Sequence, residues 1–301
     1  MRRQWTGIIG AALALMWLGT APAADKLRVV ASTADLAYFA RQIGGDLATV
    51  DAIAEGNRDL HYIEVLPSYM LKLRKADIYL IVGLELDQWS APLIDGSRNT
   101  KLRVIDCSQH IVPLEVPKFK ADARYGDLHR FGNPHYWVDP DNVPGICRSI
   151  TEAFVAADPE HAAAYETARD AYLARLETKK KEWDALKPEM AKVRFISYHN
   201  TWPYFNQYFG CQTAGFVEEF AGVAPSPSHL ARMVDRIKTE KIPIVAYEPF
   251  HDRRVPAMLA QKTGCRAIEL GSSVGGEPGT GTYEALIDHI VHALLEANKG
   301  S

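Results

Sequence analysis

The sequence predicts an α/β protein of two similar α/β lobes, joined by one long helix, with the functional site in the cleft between them. Short apolar runs alternate with helical stretches over residues 27–106, and the same alternation restarts over residues 193–297. Between the two halves, residues 160–187 contain neither glycine nor proline. Strands that alternate with helices form parallel sheets covered by helices on both faces, so each half is predicted to be one such lobe.

The first lobe is predicted to contain four strands and two helices. The clearest strand is the run IYLIVG at residues 78–83, because an uninterrupted apolar run is typical of a strand buried on both faces. The other strands are predicted at residues 27–31, 49–54 and 102–106, and the helices at residues 34–43 and 68–75. Residues 112–133 hold two prolines, two glycines and little periodicity, which predicts a surface loop.

The long helix is predicted to begin at Asp158, an N-cap residue that is followed by Pro159 and Glu160. It is predicted to run to about residue 186, before Pro188, and so to span ~40 Å. Its polar surface favours a helix that links two lobes; a solvated helix packed on one lobe is the alternative. The predicted division is a first lobe over residues 25–156, a linking helix over residues 157–188 and a second lobe over residues 189–301.

The second lobe repeats the pattern of the first. Strands are predicted at residues 193–198, 242–247 and 266–270, and helices at residues 202–209, 228–239, 254–263 and 283–297. Residues 271–282 form a glycine-rich loop after the last strand. Ligands of open α/β sheets bind at the carboxyl ends of the strands, so the loops that follow the strands are where site residues are expected.

The composition is that of a globular protein with an export signal. A hydrophobic content of 47% and a charged content of 24% are ordinary for a soluble domain. The net charge of −3 argues against a nucleic-acid partner, which would require a basic surface. Residues 1–24 combine a positive start, an apolar run and small residues, which predicts a signal peptide cleaved near Ala23 or Ala24. No cysteine lies at that cleavage site, so no direct membrane anchor is expected.

The four cysteines are spread singly along the chain, at residues 107, 147, 211 and 265. An exported protein permits disulfides, and Cys211 with Cys265 is the pair suggested if one bridge forms. Small buried hydrophobic residues are the alternative for all four. Their spacing argues against metal ligation by thiolates.

Three histidines lie where ligand-binding loops are expected. His61 lies between a strand and a helix, and His199 directly follows a strand. His135 belongs to the octapeptide NPHYWVDP at residues 133–140, whose prolines and aromatic residues favour a rigid loop. The first two belong to the first lobe and His199 to the second, so a metal ion bound by all three would bridge the cleft. A hydrogen-bonded loop histidine is the alternative for each.

Three imidazoles favour Zn²⁺, Cu²⁺ or Ni²⁺ over Mg²⁺ and Ca²⁺, which prefer oxygen ligands. Zinc would also take a fourth ligand, either a carboxylate or a water molecule. For the other histidines we expect surface or packing roles, with His129 and His251 as the strongest exceptions. The remaining five are His110, His161, His229, His289 and His292.

The octapeptide closely resembles the Asp/Asn-Pro-His-x-Trp-x-Asp-Pro stretch of the zinc- and manganese-binding proteins of bacterial ABC transporters, the ZnuA/TroA-like family (cluster A-I). The likeness covers essentially the whole mature chain, including the long central helix and the run SYHNTWPYF at residues 197–205. On this resemblance His61, His135 and His199 match the ligand histidines of the family. The family usually has proline where this chain has Leu60.

The chain departs from the family at the fourth ligand. Many relatives carry an aspartate in the loop after the last strand, and the matching position here is Gly271. Glu248, at a predicted strand end of the second lobe, is the expected substitute, with Glu269 or a water molecule as alternatives. A carboxylate that only orients a histidine is the other interpretation of Glu248. The His/Asp-rich loop of zinc-selective relatives is also reduced here, with His129 as the one histidine in residues 117–132.

The resemblance implies a periplasmic binding protein that is not an enzyme and acts as a monomer. It would capture Zn²⁺, with Mn²⁺ less favoured, and deliver the ion to the permease of an ABC importer in the inner membrane. A secreted zinc hydrolase is the alternative, because three histidines and an open position also form a catalytic site. The chain lacks the His-Glu-x-x-His helix of the zinc proteases.

Overall fold

The structure, a computed structural model, describes residues 26–118 and 129–299. Within these ranges the chain forms two four-stranded sheets whose strands are all parallel. The predicted signal peptide lies outside the described residues. Within residues 26–118 and 129–299, none of the helices combines the length and the apolar character that crossing a bilayer requires.

The two sheets share one topology. The strands of the first are β1 (Leu27–Thr33), β2 (Ala48–Ala54), β3 (Ile78–Ile81) and β4 (Arg103–Asp106), in the order β2-β1-β3-β4. Those of the second are β5 (Arg194–Ser197), β6 (Gln212–Phe216), β7 (Ile244–Tyr247) and β8 (Arg266–Glu269), in the order β6-β5-β7-β8. Counted within each half, the orders are identical. The predicted fold class, two similar α/β lobes, is therefore confirmed.

Helices cover these sheets, and three of those described begin after a residue whose side chain caps the helix. Thr33, Ser226 and Thr282 each accept a hydrogen bond from a backbone N–H in the first turn of the helix that follows, which satisfies one of the unpaired donors at a helix start. The helices are α1 (Ala34–Gly44), α2 (Pro67–Lys75), α3 (Ala91–Ser97), α4 (Val143–Ala157), α5 (Ala162–Met190), α6 (Pro203–Phe209), α7 (Pro227–Glu240), α8 (Arg254–Thr263) and α9 (Tyr283–Asn298).

The long helix α5 packs against α1 and α4 of the first half and against α6 and α9 of the second. The chain becomes helical at Pro159, as predicted, in a 3₁₀ turn (Pro159–His161) with Asp158 at its N-cap position, and α5 follows from Ala162. The side chain of Asp158 makes no cap hydrogen bond, because its carboxylate accepts the Tyr165 hydroxyl at 2.7 Å and contacts His161 at 2.8 Å. At the other end α5 continues past Pro188. A proline in the last turn removes only one backbone donor there, and Met190 beyond it is fully buried.

Two elements had no clear sequence signal. The strand β6 reads QTAGF, and its glycine and polar residues hide the periodicity of a strand. The helix α3 has only 7 residues, and Gly96 within it disfavours a helix, so the sequence shows no helical periodicity there. Neither element was predicted.

The predicted disulfide between Cys211 and Cys265 is wrong, since all four cysteines are free thiols. Cys211 directly precedes β6 and Cys265 directly precedes β8, which are the two opposite edges of the second sheet. Three strand spacings separate them, ~14 Å, whereas a disulfide requires Cα atoms within about 7 Å. The alternative, packing residues, fits Cys107, Cys147 and Cys211, which are buried.

Asp35 joins the first lobe to the loop after β8. Its buried carboxylate accepts the Val274 N–H at 2.9 Å. Burial raises the pKa of Asp35 to about 7, against the opposing effect of the hydrogen bonds from Val274 and Ser273. A carboxyl with a raised folded pKa stabilises the fold in its protonated form, and that contribution is lost as the pH rises from about 4 to about 7.

We therefore expect Asp35→Asn, which cannot ionise, to gain free energy of unfolding relative to the wild type as the pH rises from 4 to 7. The gain should reach up to about 4 kcal/mol, since one pKa unit corresponds to about 1.4 kcal/mol. Urea denaturation of the metal-free proteins at several pH values measures it. A stability difference that does not change with pH would contradict this role of Asp35.

Candidate metal centre

The three predicted histidines lie in loops at the carboxyl ends of the two sheets. His61 lies between β2 and α2, His135 follows β4 before α4, and His199 comes just after β5. His135 and His199 are buried, and the side chain of His61 is 10% exposed. The structure thus brings together residues from both lobes.

The three imidazoles face one point. One nitrogen from each ring forms a set whose members all lie within 4.8 Å of one another. The ring centroids are 4.9 Å apart for His61 and His199, 5.2 Å for His61 and His135, and 5.3 Å for His135 and His199. Two nitrogens on a tetrahedral zinc stand ~3.3 Å apart, given Zn–N bonds of about 2.0 Å. Small side-chain rotations would therefore suffice to close the three rings around one ion.

A shared local motif orients His61 and His135. In each case the side-chain oxygen two residues earlier accepts both the backbone N–H and the ring Nδ1–H of the histidine. Asp59 Oδ1 lies 3.0 Å from the His61 backbone nitrogen and 3.1 Å from its Nδ1. Asn133 Oδ1 lies 3.0 Å from both atoms of His135. With Nδ1 protonated, the Nε2 of each ring carries the free lone pair.

The orientation of the Asn133 amide is fixed by its own donors. Its Nδ2 donates to the backbone oxygen of Asn200 at 2.8 Å and to Glu115 at 3.2 Å, so its oxygen faces His135. Because Asn200 belongs to the second lobe, this amide also ties the two lobes together beside the site.

The aromatic residues after His135 hold the octapeptide in place, as the sequence predicts. Tyr136 and Trp137 are buried. The Tyr136 hydroxyl donates to the Val82 carbonyl at 2.7 Å, and Trp137 Nε1 donates to the Ser272 carbonyl at 2.8 Å. The first bond fixes the loop on its own lobe, and the second links it to the loop after β8.

Glu218 orients the third histidine. Its Oε2 accepts the Nδ1–H of His199 at 2.9 Å, and both side chains are 9% exposed. Burial lowers the pKa of His199, but the hydrogen bond to Glu218 and its charge outweigh burial and raise the pKa above 6.5. All three rings therefore present Nε2, and each Nδ1 is held by a side-chain oxygen.

The pKa of His199 is raised, whereas the pKa values of His135 and His129 are lowered. Burial and the neighbouring rings hold the pKa of His135 well below its ordinary value. The same two causes lower the pKa of His129 to about 3. These two rings are neutral at physiological pH, as metal binding requires, whereas His199 keeps a proton to higher pH.

The cavity between the rings has a volume of about 20 Å³. A cavity needs a volume of about 10–15 Å³ to hold one water molecule, so this cavity suits a single ion or a single water molecule. Besides the histidines it is lined by residues that include Asp59, Thr201, Glu218, His251 and Ser272.

The predicted carboxylate ligands lie outside the group of converging nitrogens. Buried Glu248 accepts the Thr201 hydroxyl at 2.5 Å, and its Oε2 lies 3.3 Å from His251 Nε2. Its negative charge acts on His199. Glu269 ends β8 and is exposed. Among residues 26–118 and 129–299, the metal-ligand atoms that lie within 4.8 Å of one another belong to the three histidines and to neither glutamate. The role of Glu248 as a ligand therefore stays a prediction.

The position where relatives carry an aspartate is filled from elsewhere in the chain. The Gly271 N–H donates to Glu277 Oε1, and a Cβ atom at Gly271 would lie 3.1 Å from that same oxygen. Glu277 Oε2 also contacts His289 Nε2 at 3.2 Å. The carboxylate of Glu277 therefore occupies the space that a side chain at residue 271 would need.

The two histidines singled out as exceptions both lie at this site. His251 stacks on Tyr198 with ring centroids 4.0 Å apart, and the His129 ring lies 5.3 Å from that of His61. The orienting roles of Asp59 and Asn133 were missed, although an oxygen-bearing residue two positions before a histidine is visible in both loops. Glu218 was missed with the strand β6 that carries its loop.

Two parallel-sheet lobes with histidines converging from both define a metal-binding protein of the substrate-binding type. The chain belongs to the ZnuA family, described as zinc-uptake complex component A, periplasmic, whose model matches residues 29–297. The predicted family is thereby confirmed.

Individual relatives bear different metals in their names. The manganese-binding lipoprotein MntA of Halalkalibacterium halodurans is 26% identical over 92% of this chain and 90% of its own length. The iron ABC transporter substrate-binding lipoprotein MtsA of Streptococcus pyogenes is 25% identical over 98% of this chain and all of its own. A crystal structure of ZnuA, 24% identical over 91% of this chain and 100% of its own, superposes with a TM-score of 0.79. This superposition on ZnuA supports the fold of two parallel-sheet lobes.

Proposed function

We propose that this protein captures Zn²⁺ in the periplasm and delivers it to the permease of an ABC importer. The observation that carries the proposal is the set of three imidazoles, each with Nδ1 held by a side-chain oxygen and Nε2 directed to one point. Metal-binding histidines in proteins characteristically have this second hydrogen bond. His61, His135 and His199 are the proposed ligands, and Glu248 or a water molecule can complete the zinc site.

Zinc is proposed over manganese and iron because the converging atoms are nitrogen. Imidazole suits zinc, whereas manganese sites lean towards carboxylate and water oxygens. The metals in the names of MntA and MtsA make manganese and iron the competing cargoes.

The size of the cavity and the use of two of its carboxylates support binding without catalysis. A space of about 20 Å³ suits an ion or a water molecule better than an ester, peptide or phosphate substrate. Asp59 and Glu218 each accept a histidine Nδ1–H, so neither is free to act as a general base. The alternative, a secreted zinc hydrolase, predicts turnover of such substrates by the zinc-loaded protein.

The family, described as periplasmic, and the predicted signal peptide together support export to the periplasm. The relative MtsA, named as a substrate-binding lipoprotein of an ABC transporter, supports a membrane permease as the partner. In a host strain that lacks the gene, growth in zinc-depleted medium should fail and be restored by added zinc.

Native mass spectrometry with metal competition tests the cargo. We expect one zinc ion per chain, retained in the presence of an equal concentration of Mn²⁺ or Fe²⁺. Incubation of the loaded protein with ester, peptide and phosphate substrates should give no turnover. Retention of manganese or iron in preference to zinc would contradict the assignment of cargo, and turnover would favour the hydrolase.

A further inference from the structure

The three-histidine site leaves one coordination position of a tetrahedral zinc open, and most of the nearby carboxylates are already engaged. Asp59 and Glu218 hold His61 and His199, and Glu277 accepts the Gly271 N–H. Glu248 accepts the Thr201 hydroxyl through Oε1, while its buried Oε2 has no hydrogen-bond partner among the described residues. Glu248 is therefore the carboxylate that competes for the fourth position.

A fourth imidazole, that of His129, lies beside the three histidines and also has a nitrogen without a hydrogen-bond partner among the described residues. The ring of His129 lies 5.3 Å from that of His61, the same separation as between His135 and His199. His129 Nε2 is buried and has no hydrogen-bond partner among the described residues. His61 Nε2 is likewise buried and without a hydrogen-bond partner among the described residues. A buried ring nitrogen without a partner costs free energy, and a bound cation would supply the missing partner to both.

His129 also faces the other two histidines. Together with Asn133, His135 and His199 it lines a second small cavity, of about 60 Å³, next to the first. The imidazoles of His61 and His199 both act electrostatically on it. The nitrogens of His129 do not belong to the group of His61, His135 and His199 nitrogens that lie within 4.8 Å of one another. Its ring would therefore have to move towards that group when an ion binds.

The segment that carries His129 is fastened to the first lobe. We call residues 129–133 the strap. The backbone N–H of Arg130 donates to Glu85 Oε2 at 2.7 Å, and its Nε donates to Glu85 Oε1 at 2.7 Å. At the other end, the Asn133 N–H donates to the Leu114 carbonyl at 2.8 Å. The strap is therefore held at Arg130, directly after His129, and again at Asn133.

The backbone under Glu85 is itself unusual. Gly83, Leu84 and Glu85 have φ values of 82°, 49° and 71°, three consecutive residues in the left-handed region. Residues other than glycine adopt this region rarely, and they do so mainly where the surrounding structure imposes it. Here the conformation directs the Glu85 carboxylate to Arg130.

We propose that His129 is the fourth ligand of the metal site, brought to the ion by the strap and positioned through Glu85. This inference rests on the proposed function and sharpens it. Four neutral nitrogen ligands define a site for a borderline-soft divalent cation such as Zn²⁺ and disfavour Mn²⁺. The specificity of this chain for zinc then comes from an imidazole in place of the carboxylate that position 271 lacks.

The test compares His129→Ala with wild type by chelator competition for Zn²⁺ and by the visible spectrum of the Co²⁺-loaded protein. We expect His129→Ala to bind one zinc at least about 10-fold more weakly, a loss no smaller than that for residues that only orient ligands. Its Co²⁺ bands should change in position and intensity as a nitrogen ligand is replaced by water. Glu85→Gln should weaken zinc binding in the same direction and by less. His292→Ala, a change of an exposed histidine in α9, should match wild type in all measurements.

Zinc affinity and Co²⁺ spectrum of His129→Ala equal to those of wild type would overturn the role of His129, while one zinc bound by both proteins would leave the proposed function standing. If Glu248→Gln rather than His129→Ala changes the spectrum, the fourth ligand is the carboxylate and this inference is wrong. A wild type that binds no zinc would remove the proposed function and the role of His129 together. A packing role for His129 would lower the free energy of unfolding without altering the Co²⁺ spectrum.

Discussion

Replacement of His135 by alanine should abolish high-affinity zinc binding. His135 is buried, and its Nδ1 is fixed by Asn133, so its Nε2 is held in place among the converging nitrogens. Loss of a residue that merely orients a ligand costs about 10–100-fold in affinity. Loss of the ligand itself should therefore cost more than about 100-fold. Competition with a chromophoric zinc chelator at pH 7.5 measures the change.

His135→Gln and His292→Ala are the controls for this prediction. Glutamine keeps a donor for Asn133 and most of the side-chain volume, so it separates loss of the ligand from loss of folding. Both His135 variants should lose zinc, and the exposed His292 variant should retain it. Tight binding by a folded His135→Gln protein would show that the ion is held elsewhere.

Glu218→Gln should weaken zinc binding about 10–100-fold at pH 7.5 and shift its pH dependence. In wild type the charge and hydrogen bond of Glu218 keep the pKa of His199 above 6.5 despite burial. Zinc must displace the proton of His199, so affinity should fall about tenfold for each pH unit below that pKa. Without the carboxylate, burial dominates, the pKa of His199 falls, and the decline in affinity should begin at a lower pH.

Zinc affinities measured from pH 5.5 to 8 for wild type, Glu218→Gln and Glu219→Gln test this account. Glu219 is the adjacent exposed carboxylate, paired with Arg232 at 2.8 Å, and its replacement should leave the profile unchanged. A Glu218→Gln profile that superimposes on wild type would mean that His199 does not bind the ion through Nε2.

The fold was predictable because its strands are short, apolar and regularly spaced. The runs around Val29, Leu80 and Val245 mark buried strands, and the alternation with helices gives the parallel sheets directly. The sequence could not show β6, because an edge strand with a glycine and exposed polar residues lacks that signal. The disulfide between Cys211 and Cys265 failed for a related reason: the order of strands in a sheet is set by tertiary packing and is not visible in spacing.

The convergence of the three histidines was predictable from their positions after strands and from the octapeptide. What orients them was harder to see. Asp59 and Asn133 act within three-residue motifs that are visible in the sequence, whereas Glu218 reaches His199 from the loop after the neighbouring strand β6. His129 belongs to a loop whose return to the site depends on Glu85, a contact between residues 45 positions apart. Contacts of this kind are fixed only when the chain folds.

A crystal structure of the zinc-loaded protein, with anomalous data collected at the zinc absorption edge, tests the central claim most directly. The account predicts one anomalous peak between the lobes, ~2.0–2.1 Å from the Nε2 atoms of His61, His135 and His199. A peak bound by other residues, or three rings that turn away from one another in the loaded protein, would contradict it.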